Sequence, residues 1–154
     1  MDELDLKILR MLRENSRQSL GVIAEKTGTS KATVSRRISR LEKEGYISSY
    51  TLTTNLSKLG LMRALIGIGV SGNLIDHAIE ELRKFEEIQT IYKVFGDHSL
   101  ICEVYTKSVD LLYELIQSKI LKISGIQNVE VDILIERLVL NPDAELDMLA
   151  SNAV

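Results

Sequence analysis

The sequence predicts an α+β chain in two parts, and three observations carry that prediction. The first is a change of rhythm near residue 60. Before it, apolar residues recur every three to four positions; soon after it, they alternate. The second is the order of the periodic segments that follow: β-α-β-β-α-β. The third is a short helix over residues 30–44 with two unlike faces. Val34, Ile38 and Leu41 fall at i, i+4 and i+7, the spacing of one buried stripe, while Ala32, Thr33, Arg36, Arg40 and Lys43 point roughly the other way.

In chain order, a first helix is expected from Asp2 to about Asn15. Leu4, Ile8, Leu9, Met11 and Leu12 form a wide apolar stripe. Asp2, Glu3 and Asp5 in its first turn, with Arg10 and Arg13 near its end, suit the helix dipole. A second helix spans about residues 20–26, capped by Ser19, with Leu20, Ile23 and Ala24 facing inward. Residues 27–30 form a tight turn with Gly28 at the bend. Ser30 then caps the third helix and Gly45 ends it, because the left-handed position after a helix costs glycine little. Helix, short helix, glycine turn and basic amphipathic helix make a helix-turn-helix. Residues 46–53 are β-branched and aromatic with no Gly or Pro, and read as one or two strands forming a wing. Residues 55–60 read as a turn of helix ending on Gly60. The division of the chain is placed there: 1–61 as a winged helix-turn-helix and 62–154 as a second domain.

In the second part, Ala64, Ile66, Ile68 and Val70 alternate with Leu65, Gly67 and Gly69, the pattern of a strand. Its two glycines bare one face for the close approach of another backbone. Ile75, Ala78, Ile79, Leu82 and Phe85 have helical spacing. Residues 88–95 and 99–106 are strands joined by a hairpin at Gly96-Asp97-His98. Val109, Leu112, Leu115, Ile116 and Ile120 mark a second helix, and residues 126–135 a last strand extending toward Val139. This order is the ferredoxin-like pattern, a four-stranded antiparallel sheet with both helices on one face. Leu65, Leu134 and Leu138 fall on the other face. An apolar face without helices predicts a second copy of the chain against it; the alternative is that residues 143–149 fold back over it. Residues 151–154 are expected to fray.

The totals exclude several classes. No apolar run approaches the roughly 20 residues of a membrane span, and the acidic start Met-Asp-Glu-Leu-Asp is unlike a secretory signal. Cys102 is the single cysteine, so there is no internal disulfide framework or cysteine-based zinc site, and His77 and His98 are too far apart in sequence to suggest a metal site. No phosphate-binding glycine loop or nucleophile–base pair is present. Glu130, Asp132 and Glu136 alternate as an exposed strand face would, and Cys102 reads as a small buried residue. The expectation is a cytoplasmic protein without cofactor or metal that is not an enzyme. Net charge is −3, yet residues 1–50 carry 10 Lys+Arg against 7 Asp+Glu, and residues 51–154 carry 9 against 15. Positive charge is focused on residues 31–43, where five basic residues face one acid, and such focus makes a phosphate-seeking patch.

The candidate partner is double-stranded DNA. Ser30, Lys31, Ala32, Thr33, Ser35 and Arg36 lie at the N-terminal part of the third helix, the part that enters the major groove in this motif. Arg36 is the candidate for a bidentate contact to guanine. Arg37, between the two faces, is assigned to phosphate or to a structural salt bridge, and Arg40 and Lys43 to the DNA backbone. The hairpin residues Gly96, Asp97, His98 and Ser99 keep two readings open. One is ordinary turn chemistry with His98 solvated; the other is a site for a small effector.

Leu4-Asp5 with Ile8-Leu9, Ile23-Ala24, Ser30, Thr33-Val34, Arg37-Ile38, Leu41-Glu42 and Gly45 with Ile47 form a ladder more specific than a generic helix-turn-helix. With the β-α-β-β-α-β half, it resembles the Lrp/AsnC family of transcription regulators over nearly the whole chain. Gly96-Asp97 matches that family's effector loop, with Ser99 where a second acid is usual. The resemblance implies a RAM-type second domain and a homodimer or higher homo-oligomer centred on it. It also implies an amino-acid effector bound between subunits near the hairpin. Two other functions are weighed. One is a tetrapyrrole (sirohaem) decarboxylase on the same scaffold, for which the second domain has few arginines and histidines. The other is an amino-acid sensor that does not bind DNA.

Overall fold

A computed structural model describes residues 1–151, so the fraying expected at the C-terminus lies, beyond Ser151, outside the described residues. The chain forms two compact units. Among the described residues, one is Met1–Thr53 together with residues 139–151; the other is Thr54–Leu138. Residues 139–151 group with the first unit, whereas the sequence reading keeps 62–154 together.

The first unit is built on α1 (Glu3–Glu14), α2 (Leu20–Thr27) and α3 (Lys31–Lys43). Ser19 and Ser30 cap α2 and α3, accepting hydrogen bonds from the Val22 and Thr33 N–H groups. Gly28, at φ +69°, and Gly45, at φ +79°, hold the left-handed positions that release the chain from α2 and α3. Ile8, Ile23, Ala24, Val34 and Leu41 are buried together, each worth a few kcal/mol at most, on the order of 1.5–3 kcal/mol for the larger ones. Leu20, expected inward, is 39% exposed, because the buried face of α2 is narrowed to Ile23 and Ala24. The wing expected at residues 46–53 is not formed: these residues contain no strand, since a β-rich pattern needs a neighbouring backbone to pair with and none is supplied among the described residues. A last helix, α6 (Ala144–Ser151), packs with α1.

The second unit is a four-stranded antiparallel sheet, β1 (Met62–Val70), β2 (Ile88–Lys93), β3 (Leu100–Thr106) and β4 (Ile126–Leu134), in the order β2-β3-β1-β4. Ala64, Ile66, Ile68 and Val70 of β1 join Leu100, Cys102 and Val104 of β3 in one core. Ala78 and Leu82 of α4 (Ile75–Leu82) and Leu112 of α5 (Val109–Glu114) complete that face. The second helix is not uniform: α5 passes into a π-helical segment, Leu115–Lys119, and a short 3-10 turn. β4 ends at Leu134, short of Val139; Ile135 is 100% exposed and Leu138 70%. Leu65, Glu103 and Asp132 lie side by side on the open face, as do Gly67, Ile101 and Glu130, so that face is mixed rather than purely apolar.

Candidate nucleic-acid interface

The α3 surface is assembled by two opposing constraints. Val34 and Leu41 are fully buried and fix the helix's rotation. Lys31, Ala32, Ser35, Arg36, Arg40 and Lys43 are left exposed. Thr33 is half-buried. The Ser30 hydroxyl accepts from the Thr33 N–H at 3.1 Å and donates to Thr33 Oγ1 at 2.9 Å, so its geometry is that of a cap. Arg36 Nη2 reaches Thr33 Oγ1 at 3.5 Å, a long contact that leaves the guanidinium available. A methyl group on Gly21 would sit 3.0 Å from Lys31 Cε, so the lysine stem lies over the bare glycine of α2 while its ammonium remains exposed.

Arg37 and Arg40 are held differently. Asp5, placed in the first turn of α1, is fully buried. Its Oδ2 accepts from the Asp2 N–H at 2.9 Å and from Arg40 Nη2 at 2.5 Å; its Oδ1 accepts from Arg37 Nη1 at 3.1 Å. Asp2 closes the box: its carboxylate accepts from the Asp5 N–H at 3.0 Å and from Arg37 Nη1 at 2.5 Å. The N-terminal capping box of α1 is thus also the anchor of α3. The Asp5 N–H, and after it the Arg37 guanidinium, hold the Asp2 carboxyl down to about 2. Hydrogen bonds to Asp2 and then Asp5 raise the Arg37 guanidinium further above its ordinary range. In the sequence Asp5 reads as a dipole partner and as part of the Leu4-Asp5 step of the ladder, without its anchoring role. The signal was there: Asp5 stands three residues before Ile8 and seven before Leu12, in the middle of the apolar stripe.

At the other end of α3, the Tyr50 hydroxyl donates to Glu42 Oε1 at 2.7 Å. Burial, and then this bond, push the Tyr50 phenol up to about 12.

In the sheet unit, the 96–99 loop is tied down by its own side chains. The Ser99 hydroxyl accepts from the Val70 N–H at 3.1 Å and donates to the Val70 carbonyl at 3.3 Å. The His98 ring lies over Gly67, where a methyl group would meet it at 2.6 Å, and its Nε2 is 3.3 Å from Glu130 Oε2. His98 is therefore folded against the sheet and not solvated. Gly69 is overlain by the Asn128 side chain. The two bare glycines admit side chains, where the sequence suggested a backbone. A recess of about 340 Å³ beside the loop is lined by Ile75, Lys93, Phe95, Gly96, His98 and Ser99, among others; Asp97 is not part of its lining. His77 is exposed on α4 and Cys102 is fully buried, burial pushing its thiol up to about 11. No helix among the described residues is long and apolar enough to cross a membrane.

Comparison with known proteins finds two family models on this chain. A family model described as winged helix-turn-helix DNA-binding matches residues 1–48, and one described as the Lrp/AsnC ligand binding domain matches residues 63–143. The chain is 34% identical over 135 residues to the HTH-type transcriptional regulator PH0140 of Pyrococcus horikoshii, covering 87% of this chain and 85% of that protein. It is 34% identical over 133 residues to the HTH-type transcriptional regulator LrpA1 of Halobacterium salinarum, covering 86% of this chain and 94% of that one. Among solved structures it is similar to Escherichia coli AsnC, with a TM-score of 0.83 at 26% identity over 92% of this chain and 96% of that one. A Neisseria meningitidis transcriptional regulator, solved as a complex with L-Met, shares the fold, with a TM-score of 0.81 at 20% identity over 90% and 92% of the two chains.

Proposed function

The chain belongs to the Lrp/AsnC family of DNA-binding transcriptional regulators, and from that premise we propose that two copies present α3 to successive major grooves of a pseudo-palindromic site. The observation that carries this reading is the exposed surface of α3, where Arg36 stands among Lys31, Ala32 and Ser35 with only a long contact to Thr33. Small residues allow close approach, and a guanidinium can pair with the O6 and N7 of guanine. Pairing of two copies through the sheet unit is supported by the sheet face away from the helices, with half-buried Leu65 and exposed Leu134, and by the exposed Ile135 and Leu138. The protein acts in the cytoplasm as a regulator and not as an enzyme; the names of its relatives, transcriptional regulators, support the regulator reading.

An amino acid is the proposed effector, held at the recess beside residues 93–99, where Lys93, 3.5 Å from Asp76, would meet its carboxylate. The L-Met complex of the Neisseria relative supports this ligand class. Asp97 and Gly96 serve the loop, Ser99 fixes it to β1, and His98 fixes it to Glu130.

Selection of bound duplexes from a random pool at defined salt tests the DNA reading, because target sequence and symmetry emerge together. Arg36→Ala is expected to lose about 1–3 kcal/mol of discrimination at one base of each half-site. Equal weakening on all sequences would move Arg36 to the phosphates instead. Calorimetric titration with the common amino acids tests the effector; heat with none of them overturns it.

A further inference from the structure

We propose that Asp5 is a positioning residue for DNA recognition: by holding Arg37 and Arg40 against α1, it withdraws half of the guanidinium-and-ammonium charge of α3's middle and end from the phosphates. The inference rests on the reading of α3 as the groove helix. Three facts carry it. Asp5 has no exposed surface, so its charge cannot be met by water and must be met by partners. Those partners are a backbone N–H and two guanidiniums, at 2.9, 3.1 and 2.5 Å. Among the described residues, Lys31, Arg36 and Lys43 have no acidic partner within ion-pair distance. The cations of α3 therefore fall into two sets by partner: Arg37 and Arg40 are tied to Asp5, Arg40 with its side chain still 42% exposed, and Lys31, Arg36 and Lys43 have no acidic partner among the described residues.

The separation has a consequence for specificity. Every arginine that reaches a phosphate adds affinity for all sequences alike and contributes nothing to discrimination. Caging Arg37 and Arg40 lowers that indiscriminate term and leaves Arg36 to act on base edges. A buried carboxylate suits this task better than an exposed one. An exposed pair would exchange readily for phosphate, whereas removing a guanidinium from Asp5 strands a buried charge. Asp2 adds a second acceptor to Arg37, so Arg40 is the cation that depends on Asp5 alone among the ion pairs described.

The test measures affinity for random-sequence duplex over a range of salt, using the full chain. Arg40→Gln is expected to keep the slope of log affinity against log salt seen in the parent. Asp5→Asn is expected to steepen that slope by about 0.9 per protomer, an extra loss of about threefold between 50 and 200 mM salt, and to bind random DNA more tightly at low salt. The double variant Asp5→Asn with Arg40→Gln returns to the parent slope. A purely structural role for Asp5 would weaken binding without steepening its salt dependence. If Arg40→Gln makes the slope shallower by about 0.9, Arg40 already sits on a phosphate and the proposal falls. This arm decides the matter even where Asp5→Asn fails to fold, as judged by loss of helical circular dichroism. Arg36→Ala is run alongside. If it alters neither affinity nor discrimination, the groove reading of α3 falls and takes this proposal with it; if it does alter them while Arg40→Gln flattens the slope, only the caging falls.

Discussion

The helical unit and the sheet unit bury their interiors with different chemistry. Among the described residues, the core of the first is five apolar side chains, Ile8, Ile23 and Leu41 the largest, and beside it lies the fully buried Asp5 with its two arginines. The second buries fourteen apolar side chains in one cluster, and Thr106 is the polar residue among its buried ones. The orientation of α3 thus depends on charge as well as packing, whereas the sheet depends on packing almost alone. A surface meant to meet a polyanion is being held by carboxylates, which fix geometry and also trim positive charge. The sheet unit has no such task, and its exposed features are apolar residues at the end of β4 and a mixed open face.

The largest break in that comparison comes from the cores themselves. Leu82 is fully buried between α4 and the sheet, and Leu82→Ala is expected to cost the sheet unit about 2–5 kcal/mol. Cys102 reports on it. Its thiol is fully buried and pushed up to about 11, so alkylation requires that the sheet open. Leu82→Ala should speed alkylation of Cys102 in mild urea. Leu41→Ala, an equivalent truncation in the helical unit, should lower helical circular dichroism first and leave Cys102 protected. If both variants expose the thiol equally, the two units unfold as one and the contrast between them is not energetic.

The contrast also decides what could be read in the sequence. Periodicity located every helix and strand of the sheet unit, because its core is apolar and alternation of Ala64, Ile66, Ile68 and Val70 records which face is buried. The glycine stops at Gly28 and Gly45 were legible because a positive φ selects for glycine. Three features were not. Asp5 breaks the apolar stripe of α1, and a polar residue in a stripe shows its meaning only when α3 brings two arginines to it. Residues 46–53 have strand composition, but composition cannot supply the backbone a strand pairs with. The tie between Ser99 and Val70 spans 29 residues of sequence and leaves no local pattern. The α3 surface of the candidate site was therefore legible as a list of side chains, with a structural salt bridge one of two readings for Arg37, and the carboxylates that pair with Arg37 and Arg40 were not.

A smaller break follows from acid. The Asp2 carboxyl is held at about 2, below its ordinary 3.8, first by the Asp5 N–H and then by Arg37. A carboxyl whose value is depressed in the folded state stabilises fully above its unfolded value, and that stability fades as pH falls from about 4 toward 2. Asp2 is more than half exposed, so solvent screens the effect to a modest size. Asp2→Asn keeps a good capping side chain and removes the charge. The variant should show a flatter stability profile between pH 4 and 2 in the helical unit, measured by urea unfolding at each pH. An unchanged profile would assign acid sensitivity elsewhere.

The smallest effect asks whether charge governs the whole helical unit or only α3. Arg10 pairs with Asp147 at 2.7 Å, and Arg13 donates to the Pro142 carbonyl at 2.6 Å and to Asp143 at 3.1 Å, with Glu145 beside it. These pairs are open to solvent, unlike those of Asp5, and salt screens them. Leu146 in the same helix is 4% exposed. Burial of one leucine outweighs a screened surface pair, so α6 should be held chiefly by Leu146. Amide hydrogen exchange of α6 is then expected to rise strongly in Leu146→Ala and by roughly a fifth of that, on a free-energy scale, in Arg13→Gln. High salt should erase the Arg13→Gln effect and spare the Leu146→Ala effect. The reverse ranking would extend control by charge to α6. The expected ranking confines that control to the buried carboxylate, where water cannot compete for its partners.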